Sequence, residues 1–206
     1  MPSRTWGAAP RPEQRRLTDG LLQPPPAAAQ FLLGQLLVRK IETEWAILRI
    51  VETEAYLGEG DSAAHAFHGR TRRTAPLWGP PGTWYVYLIY GMHHCLNVSA
   101  EAAETPGCVL IRAAEPLPGT RLDPLEGRGP GRLCRALGID TRLSGASAFD
   151  AGSGLYLREG ARPAAVATSP RIGIRQAADL PLRFFDPGSP AVSRAATPDK
   201  RRRGSP

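Results

Sequence analysis

Residues 45 to 54 form an apolar, β-branched run entered through the polar break Glu42-Thr43-Glu44, and such a run folds as a strand reached through a hairpin connection. It ends on Glu52-Thr53-Glu54-Ala55-Tyr56. The two-residue period of a strand puts Glu52 and Glu54 on one face and Thr53 on the other. A carboxylate at the end of an apolar strand is either paired or has its proton affinity adjusted for chemistry. A tyrosine beside it suggests chemistry on a flat ring.

Further short strands follow. Residues 83 to 90 place Thr83, Tyr85, Tyr87 and Ile89 on one face and Trp84, Val86, Leu88 and Tyr90 on the other. Gly91 permits a tight reversal before residues 94 to 99, so Tyr90 falls at a hairpin tip. Residues 107 to 113 read as another apolar strand carrying Arg112, and 155 to 157, 171 to 174 and 182 to 185 read as late short strands. Helices are few. Phe31, Leu32, Leu36 and Leu37 lie at helical spacing in residues 27 to 37, leading directly into a strand at 38 to 41, and residues 131 to 137 form a short helix behind a loop.

Neighbouring strands joined by hairpins, with few helices, predict an α+β fold: one domain with a curved, mostly antiparallel β-sheet, a protruding β-hairpin and few flanking helices. The 206 residues suffice for one core. Residues 1 to 26, with Pro10, Pro12, Pro24 to Pro26 and scattered arginines, show no repeating apolar face and read as a flexible basic arm. The folded domain is expected over residues 27 to 186, and residues 187 to 206, ending near Lys200-Arg201-Arg202-Arg203, as a flexible basic tail.

Residues 57 to 81 have no sustained period but contain His65, His68, Arg70, Arg72, Arg73 and several glycines, so they form a long basic loop of the kind that carries function. All four histidines lie from this loop to just past the aromatic run, as His65, His68, His93 and His94. The His65-x-x-His68 spacing invites zinc, but the pair sits in a glycine-rich loop, and His93 and His94 must point apart on a strand. No metal and no other cofactor is expected. Tyr56, Tyr85, Tyr87 and Tyr90 could each be half-buried sheet residues. Beside a basic loop, they also suit stacking on an unpaired base while arginines bind phosphate.

The net charge of +7 favours polyanionic partners, nucleic acid first. Only Lys40 and Lys200 are lysines among 26 basic residues, and the planar fork of arginine suits bidentate phosphate contacts. A GC-rich genome would give the same arginine excess. Cys95, Cys108 and Cys134, odd in number and in apolar settings, read as reduced core thiols. Nothing resembles a signal peptide or an apolar span of roughly 20 residues, so a cytoplasmic, nucleoid-associated protein with no membrane partner is expected. Met1-Pro2 could expose a secondary amine, but it heads the basic arm, and neither lysine is placed to form an imine.

Several blocks together resemble one family. They are residues 50 to 58 (IVETEAYLG), 61 to 65 (DSAAH), 82 to 92 (GTWYVYLIYGM), 95 to 99 (CLNVS), 108 to 113 (CVLIRA), 129 to 134 (GPGRLC) and 181 to 184 (PLRF). In that order, and over nearly the whole expected core, they are similar to the alkyladenine (3-methyladenine) DNA glycosylase family. The resemblance implies a monofunctional base-excision repair enzyme, without lyase activity, that flips alkylated or deaminated purines out of double-stranded DNA and hydrolyses the N-glycosidic bond.

On that resemblance Glu54 is the general base that activates water, and Arg112 helps to hold the water, with a backbone carbonyl near Ile172 as a further partner. Tyr56, His65 and Tyr87 form the pocket for the flipped base, and Asn97 crowds the exocyclic amine of guanine. Tyr90, with Met92, enters the duplex as an intercalating wedge. Arg70, Arg72, Arg73 and Arg132 bind DNA, and the enzyme acts as a monomer. The chain departs from the family pattern at Thr74, Leu77-Trp78 and Arg132, which bears on loop order, phosphate contacts and lesion range. The alternative is a non-catalytic nucleic-acid-binding domain in which the aromatics stack single strands and Glu54 is structural.

Overall fold

The computed structural model describes residues 12 to 193. Met1-Pro2 and the rest of residues 1 to 11 of the expected N-terminal arm, and the Lys200 to Arg203 cluster, lie outside the described residues. Eight strands form one sheet in which every pairing is antiparallel. In chain order they are β1 (Leu36–Ile41), β2 (Glu44–Tyr56), β3 (Trp84–Ile89), β4 (His93–Ala100), β5 (Gly107–Pro116), β6 (Leu155–Arg158), β7 (Ala167–Ser169) and β8 (Arg183–Phe185). The main path runs β3-β4-β5-β2-β1-β6, with β8 added on β2 and β7 on β8. Three helices, α1 (Pro12–Leu21), α2 (Pro25–Leu32) and α3 (Pro130–Ala136), complete an α+β domain with a curled sheet.

The backbone of β2 determines where the carboxylates go. Its first half pairs with β1 through Arg49, and Glu52 to Glu54 pair with β8, while β5 follows it from Leu48 to Tyr56. The β2–β5 register shifts on each side of Glu52. Before the shifts, Ala46, Leu48 and Ile50 point into the main core. Beyond them Ala55 does so, and the Thr53 hydroxyl donates to the Ala29 carbonyl of α2 at 2.9 Å. A one-residue irregularity exchanges the faces of a strand. Without it the alternation that buries Ile50 would turn Glu52 and Glu54 into the same apolar core.

The core lies between the sheet and the helices: Leu17 and Leu21 of α1, Ala28, Ala29 and Leu32 of α2, and Leu133 and Cys134 of α3 pack with Leu48, Ile50, Trp84, Leu96, Val98 and Ile111. Trp84 is wholly buried, and its indole N–H donates to the Leu155 carbonyl at 3.1 Å. Cys95, Cys108 and Cys134 are free and buried.

Four expectations need correction. Residues 12 to 21 form a helix with Leu17 and Leu21 in the core, so the fold begins before residue 27. A single i, i+4 apolar pair anchors it, too short a pattern to stand out in sequence. At the other end Ala191 is buried and Ser193 holds a core carboxylate, so the fold also continues past residue 186. The helix expected at 27 to 37 ends at Leu32, and Leu36 and Leu37 belong to β1. Gly34 at φ +88° makes the break, and a Cβ there would sit 2.1 Å from the Ala161 carbonyl oxygen. Residues 171 to 174 form no strand: the Ile172 amide donates to a side chain instead of a ladder, and the nearby strand is β7.

The β3–β4 hairpin closes through Tyr90-Gly91, both with positive φ (52° and 68°), and the Met92 amide donates to the Ile89 carbonyl at 3.1 Å. Ile89 pairs with His93, so the loop holds three residues, Tyr90, Gly91 and Met92.

Candidate active site

Glu52 and Glu54 are both fully buried, but their surroundings differ. Glu52 is saturated: Oε1 accepts from Arg112 Nε (3.1 Å), Arg183 Nε (2.6 Å) and Ser193 Oγ (2.7 Å), and Oε2 accepts from the Ser193 amide (2.6 Å). Glu54 Oε1 accepts from the Ile172 amide at 2.7 Å and lies 3.1 Å from Arg112 Nη1. Glu54 Oε2 accepts from the Tyr56 hydroxyl at 3.0 Å. Arg112 thus bridges both carboxylates, which more than offset the effect of burial and keep its guanidinium charged. The main-chain group of Ile172 that reaches Glu54 is its amide.

Beside Glu54, the end of β2, the loop of residues 57 to 81 and the inner face of β3 enclose a cleft of about 160 Å³. Tyr56, His65, Tyr85, Tyr87, Asn97 and Ile174 line it. Tyr85 and Tyr87, two residues apart on β3, have ring centroids 5.6 Å apart, and the His65 ring meets Tyr87 edge-on at 4.4 Å. His65 Nδ1 lies 2.9 Å from the Tyr85 hydroxyl. Burial, with Arg73 nearby, lowers the His65 pKa to about 4, so the ring is neutral at physiological pH. Burial pushes the Tyr85 phenol up to about 12, and Tyr56 and Tyr87 higher still. The walls are therefore flat and uncharged. Asn97 is buried, with Nδ2 donating to the carbonyls of Tyr85 (3.1 Å) and Cys95 (3.4 Å).

The expected wedge stands clear of the body, with Tyr90 81% and Met92 70% exposed at the hairpin tip. Arg70, Arg72 and Arg73 are exposed on the long loop. Arg70 pairs with Glu104 at 3.0 Å and lies over Trp78. Arg132 is exposed at α3, in a second cleft shared with His93 and Arg135. Thr74, Leu77 and Trp78 are all buried. Thr74 Oγ1 closes the loop through the Thr71 amide and hydroxyl, each at 2.9 Å, while Leu77 and Trp78 pack under the cleft with Ala66, Tyr85 and Cys108. Among the described residues no three His, Cys, Asp or Glu side chains gather where one metal ion could be held. No helix among them is long and apolar enough to cross a membrane.

Sequence reasoning assigned no role to Asp61, Arg171 or Arg183, all buried around the site. Asp61 accepts both ends of the Arg171 fork, through Nη2 at 2.9 Å and Nη1 at closer range, and caps the amides of Leu57 (3.2 Å) and Ala63 (3.0 Å). Burial alone would raise the Asp61 carboxyl, but Arg171 and these amides outweigh it and hold the pKa below the ordinary value. Asp61 and Arg171 lie 110 residues apart, so no local pattern in the sequence signals the pair.

Residues 19–190 match the family described as methylpurine-DNA glycosylase. The chain belongs to that family. Proteins named for 3-methyladenine DNA glycosylase activity include one from Methanocella arvoryzae, 44% identical over 184 residues, covering 83% of this chain and 92% of the relative. One from Chlorobaculum parvum is 43% identical over 190 residues (84% and 89%), and one from Myxococcus xanthus 44% over 189 (87% and 94%). In this glycosylase the end of β2, the His65 turn, the β3–β4 hairpin and the Arg112 strand, all family-bearing blocks, meet at or beside this cleft, while residues 129 to 132 line the second one.

Proposed function

We propose that the protein removes alkylated purines from duplex DNA by hydrolysis with a water activated by Glu54. The observation that carries this reading is the Glu54 carboxylate itself, buried and fixed by Arg112, the Ile172 amide and the Tyr56 hydroxyl at the edge of an aromatic cleft. Glu54 takes a proton from water, the hydroxide oxygen bonds to C1′ of the sugar, and the C1′–N bond breaks with its electron pair leaving on the base. The carboxylate also stabilises the positive charge that develops on the sugar. The products are the free base and an abasic site.

The neutral ring of His65 and the high phenol pKa values leave the cleft walls poor proton donors at neutral pH. A purine made cationic by alkylation leaves as a neutral base and needs no such donor. A neutral deaminated base such as hypoxanthine would be the slower substrate. Lys40 lies over Trp45 on the outer part of β1–β2, so among the described residues no lysine reaches the cleft to form an imine, which favours monofunctional hydrolysis. Tyr90 and Met92 would fill the gap left in the stack, with Arg70, Arg72, Arg73 and Arg132 on phosphates. The protein would act as a monomer on chromosomal DNA in the cytoplasm.

Duplexes carrying 3-methyladenine, 7-methylguanine, hypoxanthine or ethenoadenine, assayed for free base and for alkali-labile abasic strand, test the reading. Glu54→Gln should bind lesion DNA and lose excision by roughly 10²- to 10⁴-fold, the usual worth of a positioned base. Full excision by that variant would sink the mechanism. Tight binding without base release by the unaltered chain would favour the non-catalytic domain.

A further inference from the structure

Two loops far apart in sequence meet at the end of β2, the segment of residues 57 to 64 and the segment of residues 170 to 174. One side chain joins them. Arg171 is fully buried at its side chain, as is Asp61, and the two form a forked ion pair. Arg171 Nη1 also donates to the Ala55 carbonyl at 3.1 Å, which ties the fork to β2 between Glu54 and Tyr56. The guanidinium lies over the Tyr56 ring, 4.6 Å from its centroid. The next residue, Ile172, gives its amide to Glu54 Oε1, and Ile174 lines the cleft.

We infer that Arg171, clamped by Asp61, is a positioning residue that holds the base-binding wall and the Glu54 carboxylate in one register. This rests on the excision chemistry proposed above. Four contacts place a single guanidinium: Asp61 fixes its end, Ala55 ties it to the strand, the Ala177 carbonyl accepts from Nη2 at 3.4 Å, and Tyr56 covers its face. Its Nε meanwhile has no hydrogen-bond partner among the described residues. Movement of the fork would displace Tyr56 and the Ile172 amide together, and so both partners of Glu54 other than Arg112. Misplacement of a catalytic group by about 1 Å can cost on the order of a hundredfold in rate.

The bland alternative is that the pair only stabilises the fold, and a double-mutant cycle separates the two. Asp61→Asn, Tyr56→Phe and the double variant are assayed in the full chain for single-turnover release of 7-methylguanine at saturating enzyme, normalised to folded protein. Binding to a duplex carrying a stable abasic analogue is measured alongside. The expected result is a rate loss of about tenfold to a hundredfold for Asp61→Asn, with DNA affinity changed by less than about twofold, and a much smaller loss in the Tyr56→Phe background. An unchanged rate per folded molecule, or losses that simply multiply, would overturn the inference. If Asp61→Asn does not fold, Arg171→Lys gives the same readings, since it keeps the charge but loses the fork and the planar face over Tyr56. Failure of the unaltered chain to release base would instead overturn the functional reading, and the inference with it.

Discussion

Glu54 and Tyr56 stand two residues apart on the same face of β2, and the tyrosine hydroxyl donates to Glu54 Oε2 at 3.0 Å. Burial, reinforced by the adjacent carboxylate, pushes the Tyr56 phenol far above its ordinary pKa, so it remains a donor throughout the working pH range. One ring therefore serves as a wall of the cleft and as a restraint on the carboxylate. On the function proposed above, Tyr56 would couple recognition of a flat base to the group that activates water.

The two glutamates should separate stability from activity. Removing the charge of Glu52 leaves the buried Arg183 without its carboxylate and weakens the hold on Ser193. Glu52→Gln should lower unfolding free energy by about 3–5 kcal/mol, the cost of breaking a buried pair, measured by urea titration. Glu54→Gln should cost less stability, because Arg112 keeps Glu52 as a partner. Equal destabilisation by the two variants would contradict the division of roles.

At the hairpin tip, stability and function should move in opposite directions. Tyr90 holds φ 52°, a strained conformation for a side-chain-bearing residue, while its ring is exposed. Tyr90→Gly should leave the melting temperature unchanged or raise it, yet weaken capture of a lesion duplex by about tenfold, the worth of one lost stacking contact. Equal lesion-duplex affinity in the two proteins would remove Tyr90 from the wedge role.

His65 should make folding stability depend on pH in one direction. Its folded pKa of about 4 lies below the ordinary 6.5, chiefly through burial, so between these values the unfolded chain binds a proton that the folded chain does not. The native state therefore loses stability as pH falls from 6.5 towards 4 and regains it as pH rises. His65→Gln should lose less stability over that interval, read as the difference in urea midpoints at pH 7 and pH 4.5. Parallel pH dependence in both proteins would show that burial does not hold His65 neutral.

Much of the site was legible because its residues cluster along the chain. Tyr85 and Tyr87 follow from a two-residue alternation, and Tyr90 from the turn chemistry of the glycine after it, so strand, face and tip were all read from local pattern. Residues 171 to 174 misled for a physical reason. Their apolar alternation satisfies a strand, but the Ile172 amide is taken by Glu54 and the Arg171 side chain by Asp61. Nothing local in either segment names the other. The helix at residues 12 to 21 was hidden likewise, because only Leu17 and Leu21 anchor it.

The sequence by itself determined an antiparallel α+β domain, a carboxylate pair at the end of a strand and an aromatic wall opposite, since these depend on periods of two and on turns a few residues long. Only the tertiary structure decided how the two carboxylates are partnered. Glu52 and Glu54 share a face and a neighbourhood, but the irregularity beside Val51 turns both away from the apolar core. Arg183 and Ser193, more than a hundred residues away, then saturate Glu52 and leave Glu54 to Arg112, Ile172 and Tyr56. A buried charge is assigned by the partners that reach it, and those partners come from the far side of the fold.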